Sequence, residues 1–180
     1  ATGRTLAVLE ATWLTALRTA AASAVAVDCL TSRSPKVVAL LGSGVLARTH
    51  AAALRAVRPV SEVRVWSRNP DNVAKCAKDV KGVACASAEE ATREADIVCT
   101  VTTAREPVLK GAWLRRGALV AAVGAPRPAW RELDDEAMAN VVITDSYEAA
   151  AQEAGDVILS GARVSAELGE ILAGTRAPPA

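Results

Sequence analysis

The feature that most constrains the fold is a short apolar run that ends in a glycine-rich turn. Residues 37–41 are Val-Val-Ala-Leu-Leu, and residues 42–47 follow as Gly-Ser-Gly-Val-Leu-Ala. A buried strand that leads through GxGxxA into a helix is typical of a dinucleotide site: the first glycine makes the tight turn, the second admits a pyrophosphate, and the small final residue lets the helix pack on the sheet. The free N–H groups of that helix supply an anion site. The predicted cofactor contacts are therefore Gly42, Ser43, Gly44, Val45, Leu46 and Ala47.

Strand-like and helix-like segments alternate after this motif. The predicted strands are 37–41, 62–66, 83–86, 97–101, 118–123 and 141–144. The predicted helices are 45–57, 72–80 and 88–95, with a helical turn at 111–114. Short apolar runs between helical patterns are typical of parallel strands that are covered on both faces. We therefore predict an α/β fold with a Rossmann-type, doubly wound, mostly parallel sheet and helices on both faces.

The segment before the motif is predicted to be distinct from it. Residues 6–9 and 13–15 resemble short extended pieces, and an alanine-rich helix is predicted from about 17 to 30, with Arg18 at its start. A polar loop with a proline, residues 31–35, then marks the clearest boundary in the chain. We predict that residues 1–35 end one domain and that residues 36–180 form the nucleotide-binding domain.

Composition excludes several other classes of protein. The 21 basic and 20 acidic residues are mixed along the chain, which offers no basic stripe for nucleic acid and no polybasic arm for a membrane. No run of ~18 apolar residues and no signal peptide is present, so we expect a cytoplasmic protein. The four cysteines are widely spaced, and we predict neither a metal site nor thiol chemistry.

The end of the second predicted strand bears on the choice of cofactor. Sites that prefer NAD have an acidic residue there, which binds the ribose hydroxyls. This chain has Ser67, Arg68 and Asn69 instead, with Asn72 just beyond. A cation and short polar groups suit a ribose 2′-phosphate, so we predict NADP(H) in preference to NAD(H). The alternative is a solvated arginine ahead of a helix that starts near Pro70.

Two further groups of residues follow predicted strands. Thr102 and Thr103 follow the fourth strand, and Val123, Gly124 and Ala125 come at the end of the fifth. Ligands of doubly wound sheets bind outside the carboxyl ends of the strands. We therefore predict that these residues border the nicotinamide, although a plain threonine-rich strand end and a proline turn are alternatives.

Other conspicuous polar residues are interpreted as structural. The single histidine, His50, falls on the helix after the glycine turn, where a structural role is favoured over a catalytic one. Asp145 and Glu148 fit a helix cap with a reciprocal acidic partner. Residues 131–135, Arg-Glu-Leu-Asp-Asp, are typical of the charged first turn of a helix.

With these motifs in place, the chain resembles the ornithine cyclodeaminase/mu-crystallin family, and within it the mu-crystallin branch. The matching segments are 15–21, 42–47 with His50, 63–68, 100–102, 122–128, 130–136, 155–156 and 166–170. The resemblance implies a homodimeric cytosolic protein whose Rossmann domain binds NADP(H). It also implies an N-terminal substrate and dimerisation domain, to which residues 1–35 would belong, and the start of a C-terminal return segment within 36–180.

The resemblance further implies ketimine reductase activity on cyclic imino acids, together with thyroid hormone binding. In that scheme Arg18 contacts the substrate carboxylate or the cofactor. Cyclodeaminases have an aspartate, and mu-crystallins a serine, where this chain has Pro126, which has no proton to exchange. A lyase of the cyclodeaminase kind is therefore disfavoured.

The chain begins at Ala1 rather than Met, and most of the substrate domain implied by the resemblance is absent from it. We therefore expect a fragment that is inactive on its own, with the proton donor to the imine nitrogen outside it. A non-catalytic protein that binds NADPH or thyroid hormone, or a crystallin-like protein, is the alternative.

Overall fold

A computed structural model of the protein describes residues 3–31 and 35–179. Its helices are α1 (Thr12–Leu30), α2 (Val45–Val57), α3 (Pro70–Asp79), α4 (Ala88–Thr92), α5 (Asp135–Met138), α6 (Tyr147–Glu153), α7 (Gly155–Ser160) and α8 (Leu168–Leu172). Its strands are β1 (Val37–Leu41), β2 (Glu62–Trp66), β3 (Val83–Ala84), β4 (Ile97–Thr100), β5 (Leu119–Ala122), β6 (Val142–Thr144) and β7 (Val164–Glu167). A single 3-10 turn, Gly111–Trp113, lies between β4 and β5.

Five parallel strands form the main sheet in the order β3-β2-β1-β4-β5. Leu41, the last residue of β1, pairs with Trp66 on one side and with Thr100 on the other. The strand order therefore reverses between β1 and β4, and a ligand crevice is expected beyond the carboxyl ends at such a switch point. The predicted Rossmann-type fold is confirmed.

Alternate residues of β1 face opposite layers, because successive side chains of a strand point to opposite faces. Val38 and Leu40 lie in a core with residues of α1, α2 and α3, whereas Ala39 and Leu41 lie in a second core with α4 and α5. All four are fully buried. Burial on both faces explains why β1 is a continuous apolar run rather than an alternating one.

The N-terminal segment differs from its prediction. Residues 13–15 belong to α1, which begins at Thr12, and residues 6–9 form no strand. The Thr12 backbone N–H donates to Glu10 Oε1 at 2.8 Å, and the alanine-rich sequence that follows has high helix propensity. Arg18 is consequently in the second turn of α1 rather than at its start. Residues 32–34 of the predicted loop lie outside the described residues, and the domain boundary at residue 35 stays a prediction.

Helix α1 packs along α2 through a face of small residues. Ala16, Ala20 and Ala24 are buried there, and Val27 lies in the same core as Leu40. By length and composition α1 could cross a membrane, and it is the one helix of the described residues that could. In the described fold, 28% of this apolar stretch is buried, and α1 packs against α2.

A second, two-stranded parallel sheet forms outside the main one. It pairs β6 with β7, so the predicted strand at 141–144 exists but does not extend the main sheet, and β7 was not predicted. The nearby helix cap is also shifted by one residue: Ser146 caps α6 by accepting from the Ala149 N–H, whereas Asp145 accepts from the Ser146 N–H.

Candidate functional site

The two glycines of the turn after β1 have different roles in the structure. Gly42 has a φ of +125°, and a Cβ there would lie 2.7 Å from the Val101 carbonyl oxygen. Gly44 has an extended backbone with a φ of −81°, and a Cβ there would meet no atom within 4 Å. Gly42 is therefore required by the packing of the turn against the end of β4. Gly44 leaves open space at the first turn of α2, and this space suits a pyrophosphate.

The rest of the motif supports that turn. Ala47 is fully buried in the core, as expected for the small residue that brings α2 close to the sheet. Arg48, which was not predicted, donates from Nη1 to the carbonyl oxygens of Ser43 at 2.7 Å and Gly44 at 3.0 Å. Its Nε donates to Asp79 Oδ2 of α3 at 2.8 Å. Arg48 thus holds the peptide units of the turn against α3.

The residues after β2 lie beside this turn. Ser67 Oγ and Ser43 Oγ are 2.7 Å apart, which joins the end of β2 to the glycine turn. The Asn69 side chain caps α3 by accepting from the Asn72 N–H at 3.2 Å. Arg68 is exposed and belongs to none of the ion pairs among the described residues. Of the four predicted residues, Arg68 therefore offers an uncommitted positive charge.

A buried carboxylate links the ends of β4 and β5. Glu132 Oε1 accepts from the Thr102 N–H and from the Thr102 hydroxyl, each at 2.6 Å, and Oε2 accepts from the Gly124 N–H at 2.7 Å. Its side chain is 0% exposed. A Cβ on Gly124 would lie 2.3 Å from Glu132 Oε1, so the glycine makes room for this carboxylate. The prediction that Glu132 belongs to the charged first turn of a helix was therefore wrong, because α5 begins at Asp135 and Glu132 is buried before it.

A second buried acid holds Glu132 in place. Asp156, in the first turn of α7, accepts from the backbone N–H groups of Glu132 and Leu133 at 2.8 and 2.9 Å. Burial raises the pKa of both carboxyl groups above their usual values. The sequence signal for this pair is weak, because Glu132 stands next to charged residues that do behave as predicted: Asp134 caps α5, and Arg131 pairs with Asp135.

The predicted nicotinamide residues lie together at this edge of the sheet. The Thr102 hydroxyl is engaged twice, since it donates to Glu132 and accepts from the Ala104 N–H at 3.0 Å. Thr103 is exposed. The Val123 N–H donates to the Thr100 carbonyl at 3.0 Å, and the Ala125 carbonyl accepts from the Gly155 N–H at 3.0 Å. Gly124 and Ala125 are buried, whereas Thr103 is exposed, so the Thr103 side chain is the one in this group best placed to meet a ligand.

Arg18 is a predicted site residue for which the structure shows no contact with the proposed nicotinamide site. It is exposed on α1, and its side chain takes part in no hydrogen bond or ion pair among the described residues. An open groove of ≈ 430 Å³ separates the first turns of α1 and α2, with Thr15 and Leu46 among its lining residues. Arg18 follows Thr15 by one helical turn, and its role stays a prediction.

His50 occupies the structural position that was predicted for it. Its Nδ1 lies 2.7 Å from the Leu46 carbonyl oxygen, to which it must donate, and its Nε2 lies 3.1 Å from Ser23 Oγ of α1. Burial lowers the pKa of His50. The neutral ring therefore joins α1 to α2. Cys76, Cys85 and Cys99 are likewise buried, and burial raises the pKa of Cys99 to about 12.

The sequence and the fold of the chain both match known proteins. The family described as "Ornithine cyclodeaminase/mu-crystallin family" matches residues 1–178. The ketimine reductase mu-crystallin of Macropus fuliginosus is 47% identical over 177 residues, which cover 97% of this chain and 56% of that protein. The chain thus spans about half the length of the curated relatives that it matches.

Two solved structures share the fold along nearly the whole chain. Thermococcus litoralis Δ1-pyrroline-2-carboxylate reductase, in complex with NADH and L-proline, has a TM-score of 0.91 at 37% identity. The match covers 99% of this chain and 60% of the reductase chain. An archaeal alanine dehydrogenase dimer with bound NAD has a TM-score of 0.89 at 32% identity. The match covers 99% of this chain and 59% of the dehydrogenase chain.

Proposed function

Because this chain belongs to the ornithine cyclodeaminase/mu-crystallin family, we propose that it is the nicotinamide-cofactor-binding part of an imino acid reductase. The open space above Gly44, at the switch point of the sheet, is the observation that carries the proposal. The relatives support the proposal, because one is a ketimine reductase and another is a pyrroline-2-carboxylate reductase.

In this proposal the chain acts by positioning its ligands. The turn from Gly42 to Ala47 holds the pyrophosphate against the first N–H groups of α2. Thr103 and the backbone of residues 123–125 border the nicotinamide. When bound, the reduced cofactor supplies a hydride to the imine carbon, while the imine nitrogen gains a proton. Correct placement of the two reactants accounts for much of the rate enhancement in such a reaction.

The proposed preference for NADP(H) rests on Arg68. No acidic side chain follows β2 directly, and the Arg68 guanidinium is unpaired among the described residues. Ser67 is held beside it through the hydrogen bond to Ser43. A guanidinium forms strong charge-assisted bonds to a phosphate. The two solved relatives contain NADH and NAD, so the support for this preference comes from the residues of this chain alone.

The proposed substrate is a small cyclic imino acid. Its carboxylate would pair with Arg18, which has no other charged partner among the described residues. Pro126 follows the proposed nicotinamide site and offers no exchangeable proton, which favours a reductase over a cyclodeaminase. A cytoplasmic homodimer that also binds thyroid hormone, as the family resemblance implies, completes the proposal for the whole protein.

The test is a fluorescence titration of the chain with NADPH and NADH, followed by turnover of a cyclic piperideine carboxylate in the whole protein. Tighter binding of NADPH, together with substrate-dependent loss of its absorbance, supports the proposal. Absence of binding to either cofactor contradicts it.

A non-catalytic cofactor-binding role is the second candidate. It is favoured by Pro126, which has no proton to exchange at the position where, by the family resemblance, mu-crystallins have a serine. Cofactor and thyroid hormone binding without turnover in the whole protein would select this candidate instead.

A further inference from the structure

Glu132 links the two segments that follow β4 and β5, at the point where the pairing of these strands ends. The Val123 N–H donates to the Thr100 carbonyl, one residue past the last paired position of β5. One step further, the N–H groups of Thr102 and Gly124 both donate to the Glu132 carboxylate. A single side chain therefore fixes the spacing between the two segments that are proposed to border the nicotinamide.

Burial raises the pKa of Glu132, but the hydrogen bonds that it accepts act in the opposite direction and favour the anion. Two of its three donors are backbone N–H groups, which cannot accept a proton in return, and the third is the Thr102 hydroxyl, which is already engaged as an acceptor from Ala104. None of the ion pairs among the described residues includes Glu132. Its negative charge is therefore balanced by peptide and hydroxyl dipoles rather than by a cation.

We propose that Glu132 is a positioning residue whose buried negative charge also favours the oxidised nicotinamide ring over the reduced one. The oxidised ring carries a positive charge that the reduced ring lacks, and a buried anion acts strongly where the surroundings have a low dielectric constant. The charge would thereby favour hydride donation to an imine. This inference rests on the proposed function, because it requires the nicotinamide to lie beside Thr102 and Gly124.

The ratio of two dissociation constants isolates this effect. The oxidised and reduced cofactors share their phosphates, riboses and adenine, so these contacts largely cancel when the Kd of the oxidised form is divided by that of the reduced form. A role confined to folding would change both Kd values and leave their ratio alone. The ratio is measured by calorimetric titration of the chain, without any turnover.

The variants separate charge from shape. Glu132→Gln removes the charge at nearly constant size, and we expect the ratio to rise about tenfold, which corresponds to ~1.4 kcal/mol. Glu132→Asp keeps the charge but shortens the side chain, so both Kd values should rise while their ratio stays near that of the wild type. Glu136→Gln is the matched control, because Glu136 is exposed on α5 and loses the same charge.

The outcomes are distinct from those that test the function itself. In Glu132→Gln, the amide N–H group would face a backbone N–H group, and two donors repel each other. Glu132→Met is therefore a second neutral variant, which lacks this clash. Circular dichroism verifies that each variant folds. A wild-type ratio in either folded neutral variant overturns the role of the charge but leaves the proposed function intact. Failure of the wild type to bind either form overturns both.

Discussion

The contrast between Gly42 and Gly44 gives the sharpest test of the proposed cofactor site. In Gly44→Ala the new methyl group meets no atom within 4 Å, and the extended backbone is open to any residue. The free energy of unfolding should therefore stay constant or rise by about 0.4–1 kcal/mol, because alanine restricts the unfolded chain. The same methyl group occupies the space proposed for the pyrophosphate.

The expected loss of cofactor affinity in Gly44→Ala follows from the hydrogen bonds between backbone N–H groups and the pyrophosphate. A bond from a backbone N–H to a charged phosphate is worth about 1.5–3 kcal/mol. Loss of one such bond weakens binding about 10- to 150-fold. The assay is a fluorescence titration with NADPH, paired with thermal unfolding of the same sample.

Gly42→Ala should show the opposite pattern. Its φ of +125° and the 2.7 Å approach to the Val101 carbonyl combine backbone strain of about 1–3 kcal/mol with overpacking of about 1–3 kcal/mol. We expect a loss of about 2–6 kcal/mol in stability, which corresponds to a Tm lower by about 4–24 °C. Gly169→Ala is the control, because Gly169 lies on α8 with open space around its Cα. The reasoning is refuted if Gly44→Ala binds NADPH like the wild type, or if Gly42→Ala unfolds at the wild-type temperature.

Three further predictions concern single side chains. Arg68→Ala should weaken NADPH binding by about 1.5–3 kcal/mol and leave NADH binding unchanged, as judged by parallel titrations; equal losses for both cofactors would contradict the 2′-phosphate assignment. Arg48→Met should weaken binding of both cofactors by about 1–2 kcal/mol, because the carbonyls of Ser43 and Gly44 lose their donor. His50 has a lowered pKa in the folded state, so its contribution to stability is present above the unfolded pKa of about 6.5 and is lost as the pH falls below it and through the lower folded pKa. In urea unfolding at pH 8 and pH 5, His50→Gln should lose less stability between the two pH values than the wild type. An equal loss would show that His50 does not titrate as inferred.

Local sequence was sufficient for most of the fold. The strands β1 and β2 and the helix α2 have the predicted bounds, because an apolar run, a GxGxxA turn and an amphipathic helix each specify a local conformation. The start of α1 was placed five residues too late, because the β-branched and aromatic residues at its first turn resemble a strand. The hydrogen bond from the Thr12 N–H to Glu10 and the alanines that follow favour a helix. β7 was missed because its pairing with β6 is a contact between distant segments.

Some residues of the candidate site could likewise be predicted from local sequence, and others could not. The glycine turn and the residues after β2 could be placed from sequence, since each lies within a few residues of a recognisable strand end. Glu132 could not, because it lies 30 residues from Thr102 and eight from Gly124, within a charged segment that looks solvated. The different roles of Gly42 and Gly44 could be predicted from the GxGxxA motif, but the contact of Gly42 with Val101 and the open space at Gly44 required the structure.

By itself, the sequence determined the α/β class, the order of the strands along the chain and the turn that suits a dinucleotide, because these depend on local periodicity and on backbone freedom at glycine. Tertiary structure alone decided which charges are buried. Glu132 and Asp156 are buried because the folded chain brings N–H groups from distant segments around each carboxylate, and those hydrogen bonds offset the loss of hydration.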